Sequence, residues 1–412
     1  MKPHLRLSLL LLIALLTTAC SLASAVTNAL PVVIDAAKHP TLQSALDALP
    51  ASGGMVVLPA GDFELTEPLR LAHENARIEG AGAATHLINK STNGEPAFIV
   101  APADRAKNKK ARLWRVQLGN FRVSGSTNSG DGIRAEFVQE IFLHGLSVDH
   151  NGGHGINLVD CHENPRVVHC NITYNAHAGL NLTNCHDIVV NANQFEENLD
   201  AVRCVDSFNL TMNGNNVDDH LRHGVVIENT YGSVLSGNMI EECNGIAVVL
   251  DRDCYGITLS ANVIAHHLGG GMDLRDAWGC AVSANTFTLC HTNSIAIGPA
   301  SGRITVTGNN FCNSYIGGKD RRLKDGPNPM SQDAGTGVFL NGTTDVVVSG
   351  NSFSGLDGQA IWTEGECRRL LISNNVITDI GRRQTKKKAA VDIGKAKESV
   401  VKDNVVAGPK TR

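Results

Sequence analysis

Pairs of adjacent carboxylic acids recur at regular intervals in the middle of this 412-residue chain, and their spacing suggests chemistry. Three such pairs begin at Glu196, Asp218 and Glu241, so the steps between them are 22 and 23 residues. Hydrolysis of a glycosidic bond needs two carboxyl groups beside the bond, one as an acid and the other as a base or nucleophile. The predicted catalytic residues are therefore Asp218, Asp219, Glu197, Asp200, Glu242 and His223.

Histidine and arginine side chains occupy the same stretch and suggest what the substrate would be. A guanidinium group binds a carboxylate through two parallel hydrogen bonds, and imidazole can donate or accept a further one. These residues therefore favour a long, acidic polysaccharide. The predicted substrate-binding residues are His220, Arg203, Asp273, Arg275, His154, His177, His267, Lys319 and Arg322.

Two other functions stay open. Elimination or C5 epimerisation of a uronate needs a base, a group that neutralises the carboxylate and often Ca²⁺. No lysine occurs between residues 111 and 318, so histidine, Tyr174 or arginine would have to act as the base. The third alternative is a β-helix protein without catalytic activity that binds glycan or metal. We favour hydrolysis because paired acids outnumber the candidate cationic bases.

Histidine spacing also permits a metal site. His220 with His223, or His266 and His267 with Asp273, offers ligands for a divalent ion. No cofactor is required by the pattern, and Ca²⁺ or another divalent metal is compatible with it.

The candidate residues recur because the sequence is a repeat with a period of about 23 residues. Each period contains an Asn-x-apolar segment, a small-plus-apolar pair such as Gly224 and Val225, and an alternating run, all too short for helices. Three short strands per period predict an all-β fold, a single-stranded right-handed parallel β-helix of about 12 coils. The repeated asparagines are Asn193, Asn215, Asn238, Asn262, Asn285, Asn309, Asn351, Asn375 and Asn404.

Stacking of the coils would bring the polar residues together. Coils in such a fold lie about 4.8 Å apart, so residues one period apart become neighbours along one edge. The step from Phe311 to Phe353 is 42 residues, which predicts a loop insertion over 315–336 beside that edge. The repeated asparagines suit turns, where asparagine tolerates a left-handed backbone, and stacked asparagines can form a ladder.

Composition agrees with a narrow interior. Only 4% of the residues are aromatic and 41 are glycine, as expected for a bore filled by aliphatic side chains and joined by tight turns. Cysteines in the same register are expected to point inward as small hydrophobic residues. Cys161 and Cys185 fall in adjacent coils, where a disulfide is geometrically feasible.

The N-terminal part of the repeat resembles a known family. "TLQSALDAL", from Thr41 to Leu49, has helical spacing, and "GGMVVLPAGDFEL" and "ARIEGAG" follow it. With the Asn-x-apolar repeats, this stretch resembles the pectate-lyase-like superfamily of right-handed parallel β-helix proteins over most of residues 32–408. The resemblance implies the fold with a short capping helix within 32–60. It leaves the reaction open, because that superfamily includes lyases, hydrolases, epimerases, phage tailspikes and proteins that only bind.

The N-terminal end of the chain predicts an exported protein. A basic start and an apolar run at 7–16 mark residues 1–25 as a signal peptide, leaving 26–412 as the β-helix domain. Thr17 to Cys20 resembles a lipobox, so lipidated Cys20 could attach the protein to a membrane. We expect a periplasmic protein, an outer-membrane lipoprotein or a secreted protein.

Charge is unevenly distributed. The net charge is −4, yet segment 381–412 holds ten Lys or Arg residues against three acids. The acidic body argues against nucleic-acid binding. We expect a monomer with a polysaccharide as its partner.

Overall fold

The protein is a right-handed parallel β-solenoid of about 14 turns with very little helix, as the sequence predicts. The computed structural model describes residues 32–312, 335–381, 384, 386 and 388–407. The two extra turns lie before Val123, where strands form without the repeated asparagine that marks the later periods.

Most coils contribute one strand to each of three parallel sheets, here called the first, second and third sheet in chain order. Two coils contribute two short strands each to the first sheet, Cys254–Tyr255 with Thr258–Ser260 and Ala277–Trp278 with Ala281–Ser283. The first sheet contains Val33–Asp35, Gly54–Val57, Ala76–Glu79, Gln117–Gly119, Phe142–His144, Arg166–Val168, Val189–Asn191, Thr211–Asn213, Val234–Ser236, Cys254–Tyr255, Thr258–Ser260, Ala277–Trp278, Ala281–Ser283, Gly302–Thr307, Thr344–Ser349, Arg368–Ser373 and Val400–Lys402. The second contains Gly61–Leu65, Thr85–Asn89, Arg122–Ser124, Ser147–Asp149, Asn171–Thr173, Gln194–Glu196, Asn216–Asp218, Met239–Glu241, Val263–Ala265, Thr286–Thr288, Asn310–Cys312, Ser352–Leu356, Val376–Ile380 and Val405–Ala407. The third contains Leu69–Leu71, Phe98–Val100, Ile133–Glu136, Ile156–Val159, Leu180–Thr183, Val202–Val205, Val225–Glu228, Ile246–Asp251, Gly270–Leu274, Asn293–Ile297, Thr336–Asn341, Ile361–Glu364 and Val391–Asp392. A small fourth sheet pairs Leu113–Trp114 with Val138–Gln139.

The core is a set of aliphatic and aromatic columns that run along the bore. Side chains alternate in and out along each strand, so every coil adds one buried residue to the same column. Phe287, Phe311 and Phe353 form one such column, with successive ring centroids 4.8 and 4.5 Å apart. Polar residues in the intervening positions therefore point outward, and this alternation places the functional side chains on the surface.

The repeated asparagines form a buried ladder at the turn between the first and second sheets. The backbone N–H and side-chain amide of Asn215 both donate to Oδ1 of Asn238 in the next coil, over 3.1 and 2.9 Å. The same contacts recur from Asn193 to Asn404. The left-handed backbone predicted for these asparagines belongs instead to the residue before each, such as Gly214 with φ 61° or Ala261 with φ 54°. In each turn, one residue therefore adopts the left-handed conformation, and the asparagine after it makes the hydrogen bonds of the ladder.

A short helix, Leu42–Asp47, covers the N-terminal end of the solenoid, where capping was predicted. Thr41 caps it by accepting from the backbone N–H of Ser44 at 3.1 Å. Ala45 and Leu46 are buried against the core, and the Gln43 side chain bonds the backbone of Arg70 through both its oxygen and its nitrogen. Two 3₁₀ turns, Ala36–Lys38 and Gly82–Ala84, complete the described helical structure.

The cysteines behave as small interior residues. Cys161 and Cys185 are completely buried free thiols, so the disulfide considered for this pair is not formed in the structure. Nine of the ten described cysteines are buried, all but Cys312.

The predicted signal peptide with Cys20, and most of the predicted insertion with Lys319 and Arg322, lie outside the described residues. The basic segment 381–412 is described only in part. None of the described helices has the length and apolar character needed to cross a membrane.

Candidate functional site

A column of titratable residues runs along the end of the second sheet. Strand pairing aligns Asp149, Thr173, Glu196 and Asp218 in successive coils, and the residue after each strand takes a left-handed conformation. That left-handed column contains His150, Tyr174, Glu197, Asp219, Glu242 and His266. The sequence thus brings acids from adjacent coils together as predicted.

Crowding changes the acidity of this column. Burial, with Glu241 and Glu242 nearby, raises the pKa of Asp218 to about 6. Burial, Asp218 and a hydrogen bond shared with Glu242 raise the pKa of Asp219 to about 7. At His266, Nδ1 lies 3.1 Å from Oε1 of Glu242. A carboxylic acid that keeps its proton near neutrality can act as a general acid.

Asp218, Asp219 and Glu242 each offer a carboxylate oxygen, and these oxygens lie within 4.8 Å of one another. Among the described residues they form the group with the spacing for a shared metal ion, and oxygen ligands of this kind suit Ca²⁺ or Mg²⁺. His220 and His267, which the sequence offered as metal ligands, are both buried in the interior.

His220 and His267 are a correction to the predicted substrate-binding set. Both are completely buried at the turn between the second and third sheets, in the register occupied by Asn151, Asn175 and Asn198 in earlier coils. Nδ1 of His220 lies 3.2 Å from the Asn198 carbonyl, and Nδ1 of His267 accepts the N–H of Cys243 at 3.3 Å. They are interior ladder residues and do not reach a ligand.

A cleft of about 390 Å³ lies over the third sheet on the other side of that turn. Its lining combines two histidines, two arginines, an amide and one carboxylate with a few small or apolar side chains. The lining residues are His154, His177, Ala178, Asn181, Thr183, Leu199, Asp200, Arg203, Val205 and Arg222. The structure therefore gathers the predicted His154, His177 and Arg203 at one concave surface.

Asp200 organises the cationic side of this cleft. It is completely buried, so its predicted role as a carboxyl group acting on substrate is wrong. Both its oxygens bind the guanidinium of Arg222, with Nε to Oδ1 at 2.8 Å, and Arg203 lies 4.0 Å away. Oδ1 also accepts the backbone N–H of His223 at 3.1 Å. Asp200 is therefore a positioning residue that holds Arg222 at the cleft, whereas Arg203 makes its shorter contact with Oε1 of Glu228, at 3.4 Å.

His154 and His223 occupy the position of Asp200 in two other coils, and hydrogen bonds fix the orientation of their rings. Nδ1 of His154 accepts the backbone N–H of Ala178 at 3.2 Å, and Nδ1 of His223 accepts that of Ile246 at 3.0 Å. When these rings are neutral, their proton is consequently on Nε2. Burial lowers the pKa of both His154 and His223, although nearby carboxylates act in the opposite direction. The lowered pKa favours the neutral imidazole.

The histidine pair sits at the mouth of the cleft. The rings of His154 and His177 meet edge to face, 5.3 Å apart at 80°, and His177 is exposed. Asp131 supports His154 by accepting its backbone N–H at 2.8 Å. One ring with a fixed Nε2–H and a second, exposed ring can together donate and accept protons.

The remaining predicted residues lie elsewhere. Asp273 and Arg275 pair with each other at 2.8 Å further along the third sheet. Glu197 is exposed in the acidic column. Arg222 and Asp131 were not in the predicted set. Their signal was positional, since Asp131 and Asp200 each precede a histidine, His154 and His223, by one repeat of 23 residues.

Comparison with known protein families shows which family the chain belongs to. A family model described as a right-handed β-helix region matches residues 108–255, 218–311 and 247–411. The chain belongs to this right-handed β-helix family. Comparison with curated proteins gave no match.

Several solved structures share the fold. The A-module of the mannuronan C-5 epimerase AlgE4 from Azotobacter vinelandii is 16% identical, with a TM-score of 0.51 over 89% of this chain and 94% of that one. A double mutant of the periplasmic alginate epimerase AlgG is 9% identical, with a TM-score of 0.52 over 91% and 83% of the two chains. Tailspike protein 3 of bacteriophage CBA120 is 14% identical, with a TM-score of 0.54 over 80% of this β-helix chain but 57% of its own length. At these identities the likeness shows the fold.

Proposed function

We propose that this β-helix protein is an enzyme that acts on a uronic-acid polysaccharide in the cleft of the third sheet. The reaction would begin with removal of the proton next to the uronate carboxylate. The observation that carries the proposal is the pairing of Arg222 with buried Asp200, beside His154 and His177. This arrangement places fixed guanidinium groups next to a base.

Arg203 and Arg222 would neutralise the substrate carboxylate. A free uronate holds its neighbouring proton tightly, because the developing carbanion repels the negative carboxylate. Guanidinium groups held at that carboxylate stabilise the charge as it develops, without having to reorganise during the reaction. Both guanidinium groups are partly exposed, so they remain accessible.

Proton transfer would be shared by the histidine pair. The exposed imidazole of His177 takes the proton from C5, and the electron pair of the C–H bond moves into the carboxylate. His154, neutral with its proton on Nε2, donates a proton. If that proton reaches C5 from the opposite face, the sugar is epimerised. If it instead reaches O4 as the C4–O4 bond breaks, the polymer is cleaved and an unsaturated sugar forms.

Relatives in fold support a glycan substrate. The named epimerases act on mannuronan or alginate, and this chain spans 94% and 83% of the two solved chains. Their solved structures share the β-helix with this chain, and the cleft described above is large enough and charged suitably for such a polymer.

Glycoside hydrolysis at the acidic column is the second candidate. Asp218, Asp219 and Glu242 have carboxylate oxygens within 4.8 Å of one another, and Asp219 with a pKa of about 7 could protonate a leaving oxygen. Retaining glycosidases place two carboxyl groups about 5 Å apart. A Ca²⁺ ion bound at these carboxylates would compete with this use.

Export also remains part of the proposal. Anionic envelope polysaccharides lie outside the cytoplasm, where the predicted signal peptide, with or without a lipid on Cys20, would deliver a monomeric enzyme.

A glycan panel tests the proposal. The purified protein is incubated with mannuronan, polygalacturonate, a sulfated glycan and a neutral glycan. Composition is read by NMR, unsaturated ends by ultraviolet absorbance and new reducing ends by a chemical assay. Epimerised or unsaturated uronate supports the proposal, whereas reducing ends without unsaturation indicate hydrolysis. Binding without any product would show a non-catalytic protein.

A further inference from the structure

The outward-facing positions of the third sheet form one column that extends well beyond the cleft. Strand pairing aligns Arg203 with Val226, Val249, Asp273, Ala296, Phe339 and Trp362 in successive coils. The column is cationic at Arg203 and aromatic at its far end. Between these ends lie Val226 and Val249, which are almost completely buried, and then the partly exposed Asp273 and Ala296. The column therefore forms one straight track along the sheet with a cationic end and an aromatic end.

Phe339 and Trp362 form the aromatic zone. Their rings stack with centroids 4.9 Å apart and planes 23° from parallel. Both side chains point away from the bore, remain partly exposed and are absent from the buried core. These two aromatic residues occupy the same outward-facing register in adjacent coils, so their rings form one continuous aromatic surface.

The surface between the two ends is shallow and carries little net charge. A depression on the same strands is lined by Ile246, Gly269, Gly270, Met272, Asp273, Thr292, Asn293 and Ala296. Its carboxylate, Asp273, is paired with Nε of Arg275 at 2.8 Å. The negative charge of Asp273 is therefore balanced by Arg275, so it does not strongly repel a polyanion lying on this surface.

We propose that the Phe339 and Trp362 pair is a sugar-binding subsite for the polysaccharide whose reacting unit lies in the cleft. The inference rests on the proposed function. Five coils separate Arg203 from Phe339, so the track is about 24 Å long at about 4.8 Å per coil. Aromatic rings bind the C–H faces of sugars through apolar contact. The pair thus binds only polysaccharide chains that are long enough to reach it from the cleft, and the reaction itself takes place in the cleft.

The test compares oligosaccharides shorter and longer than this separation. The double variant Phe339→Ala with Trp362→Ala is set against a matched control, Tyr231→Ala with Tyr255→Ala. The control removes two aromatics that are 49% and 58% exposed and lie outside the column. KM and kcat are measured for each oligosaccharide of the polymer that the panel identifies.

We expect the double variant to raise KM for long oligosaccharides by roughly tenfold. Its KM for short ones and its kcat should match the parent, as should every value for the control. Unchanged KM at all lengths, or equal loss for short and long oligosaccharides, would overturn the subsite while leaving the proposed function intact.

If the parent converts no glycan, the proposed function fails on its own. Affinity electrophoresis in gels containing long or short uronate chains then tests the subsite directly. Retardation by long chains that disappears in the double variant supports it, and equal migration of parent and variant overturns it.

Discussion

Arg222 donates through Nε to Oδ1 of Asp200 over 2.8 Å, and Asp200 has no exposed surface at all. A buried carboxylate is costly unless it is paired, so the pair fixes the guanidinium at the edge of the cleft. The position of the proposed carboxylate-binding group is thus set by the interior of the solenoid.

Asp200→Asn tests this arrangement. Arg222 would keep its charge but lose its anchor, so KM for a uronate polymer should rise more than kcat falls. Removing one partner of a buried ion pair lowers the free energy of unfolding by about 3–5 kcal/mol. We expect about 3 kcal/mol here, because Arg222 is partly exposed. Urea unfolding and steady-state kinetics measure both. Asp206→Asn, which alters an exposed pair with Arg252, is the control and should change neither. An unaltered KM in Asp200→Asn would show that the arginines do not hold substrate.

His177→Ala tests the proposed base. The side chain is exposed, so stability should stay within about 0.5 kcal/mol of the parent. Activity should fall roughly 10²- to 10⁴-fold, the usual contribution of general base catalysis. His73→Ala changes a histidine in the N-terminal coils and should retain full activity. Full activity in His177→Ala would exclude this ring as the base.

Acid stability should depend on the interior histidines. Burial lowers the pKa of His220 from 6.5 to about 4, so the unfolded chain takes up a proton before the folded one does. The stabilising contribution is complete above pH 6.5 and is lost as the pH falls towards 4, by about 3 kcal/mol for this group.

His220→Asn isolates that contribution, because asparagine occupies the equivalent position at Asn175 and Asn198. Thermal melts between pH 4 and 7 should show a flatter profile for the variant. A profile parallel to that of the parent would mean that His220 is not a buried neutral group.

Stability between about pH 4 and pH 7 should depend on Asp219 with the opposite sign. Its pKa is raised from 3.8 to about 7, so the folded state holds the proton more tightly and stability falls as the pH rises between these values. Asp219→Asn removes this loss and keeps a residue that accepts φ 54°. At pH 8 the free energy of unfolding of the variant should exceed that of the parent by about 1–2 kcal/mol, after allowing for solvent screening. Asp206→Asn again serves as the control. A less stable Asp219→Asn at pH 8 would contradict the raised pKa.

The repeat predicts much of this structure. One residue per column per coil is a strict rule, so the period gives the three sheets, the asparagine ladder and the meeting of Asp218, Asp219 and Glu242. The direction of a side chain in a turn is harder to predict, because turns lack the alternation of strands. His220, His267 and Asp200 therefore resembled exposed polar residues in the sequence. The asparagines one and two periods before His220 were the signal that its position faces the interior.

Hydrogen exchange at carbon tests the central claim most directly. The protein is incubated in D₂O with the uronate polymer that the panel identifies, and proton NMR follows the signal of the hydrogen next to the carboxylate. Proton abstraction predicts loss of that signal with the parent and with Asp218→Asn plus Asp219→Asn, but not with His177→Ala. Cleavage of the polymer with that signal intact, abolished by the two aspartate changes, would contradict the account and assign the chemistry to the acidic column.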